Sequence, residues 1–220
     1  GGFDEEDLKS TEIGYKYKSS DNRLLINTAY YQYDYTNQQQ QIIVVNSSGA
    51  LAGQTFNAGS SDMTGFELET KYAVTDNVQF DFSYYGAETE FKSFEITDVR
   101  PPLSFTGNKM NYSPERSYNI GMTVFSDDDS SVFTMSYSHK DSYFMDPSNR
   151  FISEQPSYGL LNMSYIKDFR DNLQMKLFCT NCTDQLYLTQ VTTFAVQFGG
   201  GGRNYYANGK RIGLEMTYSF

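Results

Sequence analysis

The sequence predicts an all-β protein, a transmembrane antiparallel β-barrel, and three observations predict it. Nine segments of the 220-residue chain alternate apolar and polar residues with a period of two, which is the pattern of strands with two different faces. The connections between these segments alternate strictly between short turns and long loops, as they do in membrane barrels. The last segment, 211–220, keeps its apolar row up to the terminal Phe220, and such a row meets lipid when a strand closes a membrane barrel.

The composition supports strands that span a membrane and excludes other classes. Aromatic residues make up 16% of the chain, but the mean hydropathy is -0.56, so the apolar residues are dispersed among polar ones. The longest aliphatic run, 42–45, is far shorter than the roughly 18 residues of a transmembrane helix. The net charge of -10, without a cluster of Lys or Arg, argues against a nucleic-acid partner. Residues 1–7 are not a signal peptide, so we expect that one was removed or that this chain belongs to a longer product.

The first two strands are predicted on either side of the turn at 19–22. In the first strand, the alternation places Ile13, Tyr15 and Tyr17 on the outer face. The second strand, 23–35, carries aromatic residues at both parities, which makes its facing harder to assign. Its polar residues Gln32 and Asp34 favour an inner position, and the predicted outer row is therefore Ala29, Tyr31, Tyr33 and Tyr35.

In the third strand, the positions of the charged residues determine which side faces the lipid. Phe66, Leu68, Thr70, Tyr72 and Val74 share one parity, whereas Glu67, Glu69 and Lys71 share the other. A Lys at the bilayer midplane costs roughly 2–4 kcal/mol on the lipid face, so the charged row faces the lumen. After the tight turn at 75–77, the fourth strand continues the outer row with Val78, Phe80, Phe82 and Tyr84.

Five further strands follow the same rule. Their outer rows lie within 118–124, 133–137, 161–165, 173–177 and 212–220, and short turns lie at 126–130 and 168–171. The long loops are 36–62, 87–113, 142–156 and 183–203. A soluble β-sandwich is the alternative for such a chain, but it has no reason to place every long loop at one end.

The nine strands do not suffice for a closed bacterial barrel, because single-chain barrels have even strand numbers. We therefore expect further strands to pair at both the Ile13 edge and the Phe220 edge. The inner wall is too charged to be a packed core, so the lumen holds water or a polar plug. Its polar and charged residues are Glu67, Glu69, Lys71, Gln79, Asp81, Gln174, Lys176 and Glu215.

Several short segments carry a family resemblance. They read E-I-G-Y-K at 12–16, N-A-G at 57–59, G-F-E-L-E at 65–69, P-E at 114–115 and N-C-T-D-Q-L-Y at 181–187. In their order and spacing, they resemble the C-terminal barrel region of TonB-dependent outer-membrane receptors, whose pattern before the last loop is N-L-x-D-x-x-Y. Cys182 replaces the usual Leu. The resemblance runs from about residue 12 to Phe220 and implies that 1–220 is the C-terminal part of the receptor, the last nine strands of a 22-stranded barrel.

The resemblance implies active uptake across the bacterial outer membrane. In the family, a ligand binds at the extracellular loops and plug, and the inner-membrane TonB complex pulls on the N-terminal box of the plug. Neither plug nor box is in this sequence. The last strand resembles the signal that the barrel assembly machinery recognises, carried here by Leu214, Met216, Tyr218 and Phe220. The expected surroundings are the lipid bilayer and lipopolysaccharide, and no cofactor is expected.

No catalytic residue and no metal site are predicted. His139 is the sole His and stands before Lys140-Asp141, but its parity places it on the outer face near the headgroups, where an interfacial role fits better than hydrolase chemistry. Cys179 and Cys182 form a C-x-x-C, and a zinc site needs two further ligands. Residues three apart point to opposite faces of a straight strand, so a disulfide requires a turn, and Asn181 stands at the strand end where one is possible.

The ligand contacts predicted from the sequence are cationic and aromatic loop residues: Arg100, Tyr143, Arg150, Tyr187 and Arg203. Such groups suit an anionic, aromatic chelate such as a ferric siderophore. The alternative is that they are solvated, or that they contact lipopolysaccharide phosphates.

Three functions compete at this stage. The first is a TonB-dependent importer, and the second is a small or partial outer-membrane barrel with a structural or adhesive role. The third is an outer-membrane hydrolase, whose activity would be lost on His139→Ala. The mass of the intact protein would distinguish the first from the second.

Overall fold

The computed structural model describes residues 4–45, 48–57, 59–97, 99–170, 172–194 and 201–220, and it is built from strands. The strands are β1 (Asp7–Lys18), β2 (Leu24–Thr36), β3 (Gln39–Val45), β4 (Leu51–Asn57), β5 (Ser60–Ala73), β6 (Val78–Ser93), β7 (Glu95–Ile96), β8 (Leu103–Ser104), β9 (Arg116–Phe125), β10 (Ser131–Lys140), β11 (Tyr143–Phe144), β12 (Glu154–Gln155), β13 (Tyr158–Arg170), β14 (Leu173–Thr180), β15 (Leu188–Thr193), β16 (Gly202–Tyr206) and β17 (Arg211–Tyr218). One 3-10 turn lies at Phe151–Ser153. No helix in the described ranges is long and apolar enough to cross a membrane.

Nine strands form one antiparallel sheet in the order β1-β2-β5-β6-β9-β10-β13-β14-β17. The other eight form four two-stranded hairpins, each within one of the long connections. The predicted nine strands and the alternation of short and long connections are therefore confirmed. The first two long loops are shorter than predicted, because β5 already begins at Ser60 and β6 continues to Ser93. In the described residues, β1 and β17 each pair on one side only, so these nine strands do not close on one another.

The registers align the outer apolar rows across the whole sheet. Phe66 lies opposite Tyr30 and Gly86, and Met135 lies opposite Met122 and Met163. The row ends on the last strand, where Leu214 and Met216 are opposite Leu177 and Met175. The large side chains of this face are strongly exposed, among them Ile13, Tyr15, Tyr30, Phe66, Tyr72, Phe80, Ile120, Tyr165, Leu177, Ile212, Leu214, Met216 and Tyr218. A continuous exposed apolar face of this kind is the lipid surface of a barrel.

The facing predicted for β2 is wrong. Ala29 lies opposite Glu67, and Tyr31 lies opposite Glu12 and Gly65, so Ala29, Tyr31, Tyr33 and Tyr35 are on the charged, inner face. The outer row of β2 is Leu24, Ile26, Thr28 and Tyr30. Gln32 and Asp34 misled the prediction because they stand near the long-loop end of a 13-residue strand. At about 3.4 Å per residue, a strand of this length is longer than the roughly 25 Å apolar band of the membrane. Its end therefore projects beyond the hydrocarbon, where polar residues are tolerated on the outer face.

The opposite face carries the predicted polar wall. Lys71 lies directly opposite Asp81, and Lys176 lies opposite Glu215. In these two pairs, opposite charges lie next to each other on neighbouring strands, and such pairs stabilise a sheet.

Two glycines on the inner face make room for an aromatic ring on the neighbouring strand. A Cβ on Gly65 would lie 2.4 Å from Cζ and Oη of Tyr31, and a Cβ on Gly213 would lie 2.3 Å from Cζ of Phe178. Tyr31 packs over Gly65 and stacks on Tyr33, and it is only 3% exposed. These pairs fix the register locally, because a shift of the strands would bring a Cβ under the ring.

Two of the short turns are built alike from a Ser-x-Asp sequence. The Asp21 carboxylate accepts hydrogen bonds from Ser19 Oγ (2.5 Å) and Arg23 N (3.1 Å). Asp128 does the same with Ser126 Oγ (2.6 Å) and Ser130 N (3.1 Å). The next residue in each turn has a positive φ, 60° at Asn22 and 55° at Asp129, which Asn and Asp tolerate better than other residues.

Candidate functional site

The long connections at one end of the sheet are loop 1 (37–59), loop 2 (94–115), loop 3 (141–157) and loop 4 (181–210). Loops 1 and 2 share one apolar centre together with the end of β6, here called the first loop core. Phe91, Phe94 and Val44 are fully buried in it. Its other buried members are Ile42, Ile96, Val99 and Phe105. Loops 1 and 2 are therefore packed as one body.

Loops 3 and 4 share a smaller apolar centre, the second loop core. It consists of Met145, Leu188 and Val191, with Tyr143 packed against it. The Gln155 side chain, which is 2% exposed, supports this contact because its Oε1 accepts a hydrogen bond from Leu188 N at 2.6 Å. The two loops thus form a second body beside the first.

Hydrogen bonds join loop 2 to loop 3. Asn108 Nδ2 donates to Pro147 O at 2.8 Å, and Tyr112 N donates to Phe144 O at 2.7 Å. Between them, Lys109 N donates to Asn149 Oδ1 at 2.8 Å, and Asn149 Nδ2 returns a bond to Lys109 O at 3.0 Å. These four hydrogen bonds, all within a few residues, fix the position of the first loop body relative to the second.

All four loops contribute to one cavity between the two bodies, with a volume of about 690 Å³. About half of its wall is polar and half is apolar, so a ligand there would meet both hydrogen-bonding groups and carbon surface. Four amide side chains reach it from three loops: Gln40, Gln41, Asn111 and Gln190. Tyr112 and Phe194 add aromatic surface, and Asp146 is the one charged residue in the part of the lining that the structure describes.

Asp146 is only partly satisfied within the protein. Its Oδ1 accepts hydrogen bonds from Ser148 N at 2.9 Å and from Ser148 Oγ, whereas its buried Oδ2 has no partner among the described residues. Arg150 is linked to Asp146 through Ser148, because Arg150 Nε donates to Ser148 Oγ at 3.0 Å. The Arg150 Nη2 atom is also buried and has no hydrogen-bond partner among the described residues. Burial and the nearby Asp146 charge raise the pKa of Tyr112, so this phenol stays a neutral hydrogen-bond donor.

Tyrosines from loops 2, 3 and 4 gather next to the second loop core. Tyr187 stacks on Tyr158 with ring centroids 4.5 Å apart and planes at 8°. Tyr143 contacts Tyr112, with centroids 6.3 Å apart. Burial, and then the neighbouring Tyr158, raise the pKa of Tyr143 above its usual range. The cluster is therefore uncharged and packs the loops together.

The structure brings only some of the predicted contact residues together. Tyr143 and Tyr187 meet through Tyr158, and Arg150 shares loop 3 with Tyr143. Arg100 and Arg203 are exposed on loops 2 and 4. None of the five belongs to the described lining of the cavity, and their role in ligand contact stays a prediction.

The sequence analysis does not single out the residues that line the cavity, because nearly all of them are uncharged. Gln40 and Gln41 lie in the predicted long loop 36–62, and neither they nor Asn111 and Gln190 carry a signal of their own. The signal available in the sequence was an excess of amide side chains in the loops, which is easily mistaken for solvation.

Cys179 and Cys182 are joined in the structure, with Cα atoms 5.6 Å apart. The chain turns between them at Asn181, which has a φ of 49° and is 6% exposed. Asn181 Oδ1 accepts from Gln185 N at 2.8 Å, and its Nδ2 donates to Gln185 O at 2.9 Å. This turn starts loop 4 at the end of β14. No group of three or more His, Cys, Asp and Glu suited to a metal occurs in the described part of the chain.

His139 lies on the outer face, opposite Tyr118 and Gly159. Its ring stacks on Tyr118 at 5.0 Å, and its Nε2 lies 3.3 Å from Asp141 Oδ1. Asp141 also accepts from Arg116 Nε at 2.8 Å. Partial burial raises the pKa of Asp141, but the bonds from Arg116 and His139 outweigh it and hold this pKa below the usual range. The contacts tie the long-loop ends of β9 and β10 together.

These features define the class of protein. An open antiparallel sheet with a lipid-exposed face, a polar inner face, short turns at one end and long structured loops at the other is a section of an outer-membrane β-barrel. The family model described as TonB dependent receptor-like, beta-barrel matches residues 1–182. The chain belongs to this family, and its place is the bacterial outer membrane.

Solved structures of receptors show the same fold. The siderophore receptor PiuA from Acinetobacter baumannii is 20% identical, with a TM-score of 0.75 over 96% of this chain and 28% of that one. The ferric yersiniabactin uptake receptor FyuA from Yersinia pestis is 17% identical, with a TM-score of 0.77 over 98% and 30%. The ferric-catecholate import receptor Fiu from E. coli K12 is 17% identical, with a TM-score of 0.71 over 99% and 28%.

The chain thus spans less than a third of the length of each of these three receptors. No curated protein sequence matches it.

Proposed function

We propose that the complete protein is a TonB-dependent importer of a scarce, large nutrient, with a ferric siderophore or similar chelate as the leading candidate. The observation that carries the proposal is the open cavity that all four long loops line at the extracellular end of a barrel wall. Its size is within the range of ligand sites, and its walls come from loops that pack into two bodies. The family supports import, and the ligands of similar receptors, a siderophore for PiuA and ferric yersiniabactin for FyuA, support an iron chelate.

The inner wall supports a plugged barrel. Its charged rows are compatible with water or with a polar domain, but not with a packed apolar core. An open barrel of 22 strands would leak solutes, so we propose that a plug from the same protein fills it and that the TonB complex acts on that plug. On this view, 1–220 supplies the last nine strands and four of the extracellular loops.

The remaining partners follow from the surfaces. The outer row meets the lipid bilayer, and loop residues near the headgroups meet lipopolysaccharide. Leu214, Met216, Tyr218 and Phe220 are exposed on the last strand and are proposed as the signal for the barrel assembly machinery. The proposed importer is not an enzyme and needs no cofactor. A complete nine-stranded barrel with a structural or adhesive role is disfavoured, because β1 and β17 do not pair with each other in the described structure.

Uptake by cells that carry the complete receptor tests the proposal. Accumulation of an iron-labelled chelate should require both the receptor and a functional TonB complex. Cells that lack TonB function, with the receptor present at equal amounts, provide the control. Uptake that continues unchanged without TonB function would indicate passive diffusion and would rule the importer out.

A further inference from the structure

The cavity between the four loops is nearly free of charge on its described lining. It presents amide side chains from Gln40, Gln41, Asn111 and Gln190, together with the Tyr112 phenol, and Asp146 as its one ionisable carboxylate. No Lys or Arg is among the described lining residues. The five cationic and aromatic residues that the sequence favoured lie elsewhere in the loops.

The Asp146 charge is itself balanced within loop 3. Ser148 donates to Asp146 from its N and its Oγ, and the same Oγ accepts from Arg150 Nε. The guanidinium and the carboxylate are thus connected through one hydroxyl, although they form no direct ion pair in the described structure. The net charge next to the cavity is therefore close to zero, while Asp146 Oδ2 still offers an acceptor without a partner.

A polyanionic ligand fits this lining badly. Moving such a ligand from water into this cavity removes part of its hydration, and a described lining without Lys or Arg offers hydrogen bonds but no cation to compensate several negative charges. Amide groups, in contrast, both donate and accept hydrogen bonds, and they suit a ligand that carries carbonyl, amide and hydroxyl groups. Apolar walls at Ile43, Leu51 and Phe194 suit the carbon chain of such a ligand.

The charge of a ferric chelate depends on its chelating groups. Three singly charged hydroxamates neutralise the ferric ion, whereas three doubly charged catecholates leave the complex trianionic. We propose that the four-loop cavity binds an uncharged, amide-bearing chelate of the ferric tris-hydroxamate class in preference to trianionic tris-catecholate chelates. The inference rests on the proposed function and specifies its substrate class.

Binding to the complete, purified receptor in detergent tests this preference. The probes are an uncharged ferric tris-hydroxamate and a trianionic ferric tris-catecholate of similar mass, each labelled with radioactive iron and measured by filter binding. We expect the hydroxamate to bind at least about tenfold more tightly.

A pair of variants adds a cation inside and outside the cavity. Gln190→Lys places a positive charge on the lining, and it should shift the affinity ratio towards the catecholate by about tenfold or more. Gln185→Lys adds the same charge to an exposed position of loop 4 outside the lining, and the ratio should stay as in the wild type. Heat-dependent migration of each variant on gels verifies that the barrel is folded.

The possible results distinguish failure of the preference for an uncharged chelate from failure of the proposed importer function. Equal or tighter binding of the catecholate by the wild type would overturn the inference and leave the importer in place. An equal shift with Gln185→Lys would show that the charge acts at long range and not in the cavity, and it would also overturn the inference. Binding of neither chelate would overturn the inference together with the assignment of an iron chelate as the substrate.

Discussion

At the scale of residues, the sheet relies on places where a side chain is absent. Tyr31 lies over Gly65 and shares a hydrogen bond with Tyr85 on the inner wall. This arrangement exists because glycine leaves a flat site on the neighbouring strand into which a ring fits. The same relation recurs at the far end of the sheet between Phe178 and Gly213.

Gly65→Ala should destabilise the complete protein by about 1–3 kcal/mol, because the new Cβ overlaps a buried ring that has little room to move. Equilibrium unfolding in denaturant measures this loss. Gly53→Ala is the matched control, because its Cβ would meet Gln41 Nε2 at a comfortable 3.8 Å. Equal stability of the two variants would show that the ring moves away freely.

The short turn at 126–130 should have a stability that depends on pH. Hydrogen bonds from Ser126 and then Ser130 hold the pKa of Asp128 well below its usual range. A lowered folded-state pKa means that the ionised carboxylate stabilises the fold above about pH 4 and that this contribution is lost as the pH falls through the folded-state pKa. Asp128→Asn should therefore be less stable than the wild type at pH 7, with a smaller difference at pH 3.

Asp129→Asn is the control for this turn, because it removes the same charge from the next residue and keeps a side chain that tolerates a positive φ. Denaturant unfolding at both pH values compares the two variants. A difference between wild type and Asp128→Asn that is the same at pH 3 and pH 7 would contradict the prediction.

At the scale of elements, strand facing is determined by where a charge can be placed. On β5, Leu68 lies opposite Thr28 and Tyr84 on the outer face, while Glu69 lies opposite Asn27 and Ser83 on the inner face. The two positions are neighbours in the chain, but one faces lipid and the other faces the lumen.

Leu68→Lys should reduce the stability of the folded barrel in lipid by roughly 2–4 kcal/mol if the site is near the midplane, because it places a charge in hydrocarbon. Glu69→Lys should have a far smaller effect, because its side chain remains in the polar lumen. The folded fraction in lipid vesicles, read from heat-dependent gel migration, measures both. Equal losses would contradict the register of β5.

The strands could be predicted from the sequence wherever one parity was charged and the other was not. On β5, Glu67 and Lys71 left a single register, and the prediction was correct. On β2, aromatics on both parities removed that constraint, and Gln32 pointed the wrong way because it stands near the strand end. The cavity was beyond prediction, because it depends on contacts between four loops that are far apart in the chain and its described lining holds only one charged residue, Asp146.

At the scale of the whole molecule, the sheet has two edges with unpaired backbone groups in the described structure, β1 and β17. Such edges pair with other chains when nothing covers them. Within a membrane the need for partners is stronger, since no water is present to bond the exposed groups.

Residues 1–220 produced alone should therefore fail to give a monomeric, heat-modifiable barrel and should associate through these edges instead. The complete receptor, produced and refolded in parallel, should give a monomeric folded band. Size-exclusion chromatography in detergent and gel migration distinguish the two results. A stable monomer of 1–220 with strand content equal to the structure would show that the edges are satisfied internally.

The division of the loops into two bodies has a consequence for protein engineering. Because loops 1 and 2 share the first loop core, exchanging either one alone with a related receptor would leave half of an apolar centre without its counterpart. Loops 1 and 2 should therefore be transferred together when they are exchanged with another receptor. The seam lies between Asn108–Tyr112 and Phe144–Asn149, where three of the four hydrogen bonds use the side chain of Asn108 or Asn149, so both asparagines should be kept when the loops on either side are exchanged. Chimeric receptors with altered selectivity should therefore be assembled from paired loops.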